Sequence, residues 1–303
     1  MHDIIVIGGG PAGLTAALYA RRQNKSVLVF EKNSFGGQTV YSPKIENYPG
    51  FIEMSGVEFS DKLVDQVLNQ GAELEMEEVL SISDNGTTKT VHTDAGDYEA
   101  KAVIIACGAR HRMLGLENEE NYVGNGISFC AVCDGAFYKD KEVAVIGGGN
   151  SALQEALLLS QSCAKVHIIQ NLAFLTGETK LSQALEAKNN VTITYNTVVT
   201  GLSGESELES ITLHNTETGL DSSMKIDGMF VAIGLIPDND AAKDLIKLDE
   251  RGYIPSNEST YTEINGIFAA GDCRTKTVRQ IATAIADGAS AALAACRFIE
   301  DQN

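Results

Sequence analysis

The apolar positions of this chain fall into short continuous runs, each leading through a glycine cluster into a helical stretch. Asp3-Ile4-Ile5-Val6-Ile7 reads as a strand, passes through Gly8-Gly9-Gly10-Pro11-Ala12-Gly13, and enters a helix-like run from Leu14 to Gln23. A second strand, Ser26-Val27-Leu28-Val29-Phe30, ends in Glu31. The order recurs in mid-chain: Lys141 to Ile146 as strand, Gly147-Gly148-Gly149-Asn150-Ser151-Ala152 as turn, Ala152 to Gln161 as helix, and Lys165 to Ile169 as strand. A last apolar run, Gly266 to Cys273, precedes an apolar helix from Ile281 to Ile299. Two strand–turn–helix–strand units predict an α/β protein of two doubly wound, Rossmann-like three-layer domains. The final run does not continue the second unit, so the first domain is expected to be split. The expected boundaries are 1–114 with 243–303 for the outer domain and 115–242 for the inserted one.

Composition narrows the function classes. At 303 residues the chain suits two domains, and 44% hydrophobic with 21% charged residues is ordinary for a globular protein. Acidic residues outnumber basic ones 41 to 23, a net charge of −18, which repels phosphate backbones and anionic lipids. Nucleic acid and membrane are therefore not expected partners. No apolar run is read as approaching the roughly 18 residues of a bilayer span. The first residues move straight into a strand without a basic region or cleavage site, and a cytoplasmic protein is expected.

The first glycine turn has the context that a GxGxxG needs: strand before, helix after, and an acid at the end of the next strand. Gly8 permits the tight turn, Gly10 lets backbone approach a pyrophosphate, and Gly13 lets the helix pack on the strand. The helix N-terminus offers free N–H groups to phosphate. Glu31, 23 positions after Gly8, can accept both hydroxyls of an adenosine ribose. Gly271-Asp272, at the end of the last strand run, suits a carboxylate reaching a polyol such as a flavin ribityl chain.

Of six cysteines, only Cys130-Ala131-Val132-Cys133 has close spacing. Without a second CxxC there is no zinc ribbon, and a chain of this length needs no disulfide framework. Read alone, the pair is either a chance spacing or a redox dithiol. Cys107, Cys163, Cys273 and Cys296 read as small buried hydrophobes.

These blocks, together with Gly36-Gly37-Gln38, Glu46-Asn47-Tyr48-Pro49-Gly50, Ala106-Cys107-Gly108-Ala109, Asp134-Gly135 and Arg279-Gln280, resemble the low-molecular-weight thioredoxin reductases over essentially the whole chain. Val132 stands where that family carries Thr. The resemblance implies a thioredoxin-disulfide reductase and a homodimer. It implies FAD held by Gly8, Gly10, Pro11, Ala12, Gly13, Glu31, Gly37, Gln38, Asn47, Gly108, Asp272, Arg279 and Gln280. It makes Cys133 the thiol that exchanges electrons with the flavin and Cys130 the one that attacks thioredoxin. Asp134 becomes the acid–base residue; the alternative is a turn former ahead of Gly135.

One block departs from the family. NADPH-dependent members carry HRRxxxR after the second strand of the inserted domain, basic residues suited to a 2′-phosphate. Here the stretch is Gln170-Asn171-Leu172-Ala173-Phe174-Leu175-Thr176, with no basic residue. An NADH site wants an acid there, and the position 23 after Gly147 is Gln170. The glycine turn at Gly147, Gly149 and Ala152 persists, which a tight strand–helix turn needs with or without a nucleotide. The pattern is similar to a ferredoxin-linked, pyridine-nucleotide-independent subgroup known from clostridia, so reduced ferredoxin is the expected donor. The alternatives are an NAD(P)H-dependent enzyme with atypical adenosine recognition, or a flavin redox sensor without turnover. Arg21-Arg22 with Lys25, and Arg110-His111-Arg112, are either docking clusters for an acidic donor or ordinary solvated charges.

Overall fold

The computed structural model describes residues 1–42 and 44–302. They form two compact units, Met1–Arg110 with Ile236–Asn303, and His111–Leu235. The first unit opens with β1 (His2–Ile7), α1 (Pro11–Arg22), β2 (Val27–Phe30), α2 (Gly56–Asn69), β3 (Glu73–Glu75), β4 (Val79–Asp84), β5 (Lys89–Thr93), β6 (Asp97–Ile105) and β7 (Ala109–His111). The second holds β8 (Ile127–Ser128), α3 (Ala131–Asp134), β9 (Glu142–Ile146), α4 (Asn150–Leu159), β10 (Lys165–Ile169), α5 (Thr179–Glu186), β11 (Val191–Thr194), β12 (Thr197–Ser203), β13 (Ser210–Asn215), β14 (Asp221–Lys225) and β15 (Gly228–Val231). The chain returns through β16 (Leu235–Pro237), which pairs with β7, to β17 (Ile267–Ala269) and α6 (Ile281–Asp301).

In the first unit the sheet runs β3-β2-β1-β6-β5-β4, with β17 on the other side of β6. The strands around β1 are parallel, with Ile4 level with both Val27 and Ala102, and Phe268 level with Ile104. Ile4 to Val6 are fully buried because both faces of the strand are covered. In the second unit β11-β10-β9-β15-β8 is parallel throughout, and β12-β13-β14 form an antiparallel sheet of their own.

The expected crossings at 114/115 and 242/243 differ from the observed ones at 110/111 and 235/236. Local polar bonding accounts for the difference. The amides of Leu114, Gly115 and Leu116 all donate to the buried carboxylate of Glu119, which ties them to the second unit. The Asn239 side chain donates to the carbonyls of Gly252 and Cys273, which ties 236–242 to the first.

The expectation that no stretch approaches bilayer length needs correction. Among the described residues, α6 is long and apolar enough to cross a membrane by length and composition. Its apolarity serves packing on α1. At Gly288 a Cβ would run into the carbonyl oxygen of Ala12, so only glycine allows that approach. Asp287, inside the apolar stretch, is 8% exposed and paired with Arg274.

Candidate active site

The first glycine turn is built as its sequence requires. Gly8 has φ +105°, and its amide donates to the carbonyl of Phe30 at 2.8 Å, locking β1 to β2. A Cβ at Gly13 would strike the carbonyl oxygen of Gly8. Pro11 begins α1, and Gly10 caps it without a side-chain hydrogen bond, so the first amides of the helix have no side-chain acceptor. Above Gly10 the nearest group a side chain would meet is the Cα of Gly37 at 4.0 Å, which leaves an open cradle. Ala12 is buried, and its Cβ lies where a side chain on Gly271 would point. Glu31 accepts from the amides of Gly9 at 2.8 Å and Asn33 at 2.9 Å, one bond to each oxygen. Each oxygen keeps a lone pair for a further donor.

The expected residues from distant parts of the first unit come to this turn in part. Gly37 begins a 3-10 turn with φ +56°, and Gln38, exposed, follows it. The exposed Asn47 donates to the side-chain oxygen of Gln280 at 3.1 Å, and Gln280 caps α6 through a capping box with Thr283. Gly108 has φ +71° just after β6. Asp272 follows β17 with Oδ1 buried and without a hydrogen-bond partner among the described residues; Lys276 Nζ stands 3.7 Å away. Burial pushes the Asp272 carboxyl up, against the pull of Lys276 and Arg279. Arg279 is engaged otherwise: its guanidinium donates to the carbonyls of Asp272, Arg274 and Lys276 and lies 4.3 Å over the Tyr253 ring.

An ion-pair cluster supports this turn, and sequence reasoning missed it. Asp287 accepts from the Gly271 amide at 3.0 Å, from Arg274 at 2.9 and 2.6 Å, and from Lys276 at 3.0 Å. A lone acid inside an apolar helix was the available signal.

In the second unit Cys130 and Cys133 form a disulfide, with Cα atoms 5.3 Å apart. Cys130 caps α3, and the Cys133 amide donates to its sulfur. Val132 between them is 62% exposed. Asp134 Oδ2 accepts from the Ser128 hydroxyl at 2.6 Å, and the same hydroxyl oxygen accepts from the Cys130 amide at 3.1 Å. Asp134 Oδ1 is buried without a hydrogen-bond partner among the described residues. Burial raises its carboxyl above the ordinary range, with the Ser128 bond pulling the other way. The Asp134 amide also closes a turn onto the Cys130 carbonyl, the bond of a turn former ahead of Gly135.

The second glycine turn copies the backbone of the first. Gly147 has φ +127°, and its amide donates to the Ile169 carbonyl at 3.0 Å, matching Gly8 and Phe30. At the strand end, however, Gln170 is 3% exposed, lies over Gly148 and donates to the carbonyl of Phe174 at 2.9 Å. The amides of Thr176 and Gly177 donate to the Gly148 carbonyl, and 170–177 brings no charged side chain. Of the basic clusters, Arg21 bonds to the carbonyls of Gln70 and Lys25, and Lys25 pairs with Glu300. His111 stacks on Phe129, and burial lowers it to about 4.

Comparison with known proteins decides the family. Residues 2–288 match the pyridine nucleotide-disulphide oxidoreductase family. The chain is 40% identical over 302 residues to a thioredoxin reductase of Listeria innocua, covering 99% of this chain and 95% of that protein. It is 39% identical over 302 residues to a thioredoxin reductase of Bacillus subtilis, covering 99% and 96%. The crystal structure of thioredoxin reductase from Streptococcus pyogenes superposes with a TM-score of 0.95 at 39% identity, covering 99% of each chain. The chain belongs to the thioredoxin reductase family. Thioredoxin reductases of this kind are FAD-binding flavoproteins, and the chain is a flavin-dependent disulfide oxidoreductase. Three features of the first unit fit FAD: the open cradle at Gly10, the spare lone pairs of Glu31 and the buried Oδ1 of Asp272, which faces Lys276 but accepts no hydrogen bond among the described residues.

Proposed function

We propose that this chain reduces the disulfide of thioredoxin through Cys130 and Cys133, and that its electrons come from reduced ferredoxin rather than NADPH. The observation that carries the choice of donor is the strand end at Gln170. A buried neutral side chain, turned onto its own loop, stands where NAD recognition uses a carboxylate, and no cation from 170 to 177 can meet a 2′-phosphate. Bound FAD would collect electrons from a one-electron donor and deliver them as a pair to a disulfide.

The chain's own residues then have distinct tasks. Gly8, Gly10, Pro11, Ala12 and Gly13 hold the pyrophosphate of FAD at the N-terminus of α1, and Glu31 accepts the adenosine ribose hydroxyls. Gly37, Gln38, Asn47, Gly108, Asp272 and Gln280 complete the cofactor site, with Arg279 supporting it through the 272–276 backbone. Cys133 receives electrons from the flavin side, and Cys130 attacks thioredoxin as a thiolate, the reactive form of a thiol. Asp134, bonded through Ser128 to the Cys130 amide, moves the thiol protons. The family resemblance implies a homodimer, and the cytoplasm is the proposed location.

The intact backbone of the second glycine turn favours one other reading, an NAD(P)H-dependent enzyme with unusual adenosine recognition. Anaerobic titration of the yellow protein separates them. NADPH, NADH and chemically reduced ferredoxin are added separately while flavin absorbance is followed, and oxidised thioredoxin is added last. Bleaching by ferredoxin alone, with colour restored by thioredoxin, is expected. Rapid saturable bleaching by NADPH or NADH overturns the choice of donor. Bleaching that thioredoxin cannot reverse leaves a flavin redox sensor.

A further inference from the structure

The dithiol's surroundings contain a second carboxyl that the proposed thioredoxin reduction leaves without a task. α3 packs on α4 through Ala131, with Ala152, Leu153, Ala156 and Leu159 in the same core. Glu155 lies three residues after Ala152 and four before Leu159, on the face of α4 that carries both. Its Oε2 is shut off from solvent without a hydrogen-bond partner among the described residues, as is Asp134 Oδ1. Native structures rarely leave such atoms bare, and two in one neighbourhood ask for an explanation.

We propose that Glu155 is a proton-holding carboxyl behind the Cys130–Cys133 pair, a positioning residue that acts through Asp134. The inference rests on the reading of Cys130 and Cys133 as an exchanging dithiol. Two carboxylates brought together in a low-dielectric site cannot both ionise cheaply, so the pair retains a proton that an isolated surface acid gives up.

The electrostatics follow the geometry. Burial pushes the Glu155 carboxyl up to about 8, with the charge of Asp134 adding to the rise. Asp134 is raised by burial alone, against the Ser128 bond. Tyr138, on the turn after α3, is pushed up to about 12 by burial and then by Asp134, Glu207 and Asp227. No Lys, Arg or His among the described residues acts on Glu155 or Asp134. At neutral pH the proton therefore rests on Glu155.

The exchange then balances with the pair as shuttle. Cys130 gives its proton to the pair, and its thiolate attacks one sulfur of the partner disulfide. That S–S bond breaks, a mixed disulfide forms, and the departing thiolate takes a proton from the pair through Asp134. Cys133 gives up its proton likewise and attacks the Cys130 sulfur. The Cys130–Cys133 disulfide re-forms, and the second partner thiolate leaves and is protonated. Two electrons and two protons pass to the partner, and the pair ends with the one proton it began with.

The test is a pH titration of the oxidised holoenzyme by infrared difference spectroscopy, joined to stopped-flow reoxidation of the reduced protein. A carboxylic-acid carbonyl band is expected at neutral pH, vanishing as pH rises through about 8. It is lost in Glu155→Gln, and in Asp134→Asn it titrates at lower pH because the neighbouring charge is gone. Reoxidation by an aromatic small-molecule disulfide should slow through the same window in the wild type, and the limb should vanish in Glu155→Gln. Glu155→Asp, which keeps a carboxyl, should restore a limb. A wild-type protein with no such band, or a Glu155→Gln variant that keeps the limb, overturns the proposal. If the band and the limb appear but thioredoxin fails to reoxidise the protein, the pair stands and thioredoxin as substrate falls.

Discussion

Removing the Asp287 carboxylate should cost the first unit a large part of its stability and loosen its hold on FAD. Asp287 is 8% exposed and Arg274 6%, and the Lys276 side chain is 7% exposed, so the cluster sits almost wholly out of water. The single carboxylate answers two cations and the Gly271 amide. In Asp287→Ala both cations lose it, and Lys276 is left with Asp272 at 3.7 Å as its other carboxylate. Breaking a buried ion pair by removing one partner costs about 3–5 kcal/mol, against roughly 5–15 kcal/mol for a whole domain. Because the Gly271 amide is released too, the turn that carries Asp272 is freed, and FAD should dissociate more readily. The assay is urea unfolding followed by flavin fluorescence and near-UV dichroism, with wild type and variant compared from pH 7 to pH 3. The pH dependence carries a sign. Burial pushes the Asp287 carboxyl up, but the bonds from Arg274 and Lys276 outweigh it and hold it below the ordinary range. Its contribution is thus complete above the unfolded value of about 3.9 and is lost as pH falls through the lower folded value. A stability loss below about 1 kcal/mol with unchanged flavin retention, set against the expected 3–5, would refute the reasoning. So would a difference between the proteins that already shrinks between pH 7 and 5.

Two further outcomes follow from the packing and the buried groups. Gly288→Ala should destabilise the first unit by about 1–3 kcal/mol, because the new methyl meets the Ala12 carbonyl; Gly96→Ala, with nothing within 4 Å, is the control, and equal thermal midpoints for the two variants would contradict the account. His111, lowered to about 4 by burial, stays neutral in the folded chain while its unfolded form protonates near 6.5, so stability is lost as pH falls between these values, by about 3 kcal/mol in all; urea midpoints measured against His111→Phe, which keeps a ring on Phe129, should show the acid loss in the wild type alone.

What could be read from the sequence was what is local in the chain. Gly8, Gly10 and Gly13 act within one turn, and Glu31 follows them through a single helix, so type and spacing were enough. Cys130 and Cys133 are separated by two residues, and the turn they cap is equally local. What stayed hidden depends on partners brought together by tertiary structure or on burial. Asp287 reads as a stray charge in an apolar helix until Arg274, 13 residues away, and Gly271, 16 away, fold onto it. Glu155 reads as a solvent-facing helix acid until α3 covers that face of α4. The unit boundaries were displaced for the same reason: Glu119 and Asn239 decide them by bonding backbone, and neither residue type announces such a role.

The two glycine turns of this chain serve as controls for each other. Their backbones agree at Gly8 and Gly147, in the sign of φ and in the bond to the neighbouring strand, so geometry common to both is compatible with a nucleotide at each and does not by itself decide for one. The difference lies one strand further on. Glu31 turns its oxygens to the Gly9 and Asn33 amides and keeps lone pairs for hydroxyl donors. Gln170 is neutral and buried, and it commits its amide nitrogen to the Phe174 carbonyl. A site built to bind a polar group rejects its absence strongly, whereas a site whose polar group is already satisfied gains little from a newcomer. To bind a ribose, Gln170 would first have to give up the Phe174 bond or offer only its oxygen. The cost of reopening the second turn falls on a loop that has no cation to return it through a phosphate.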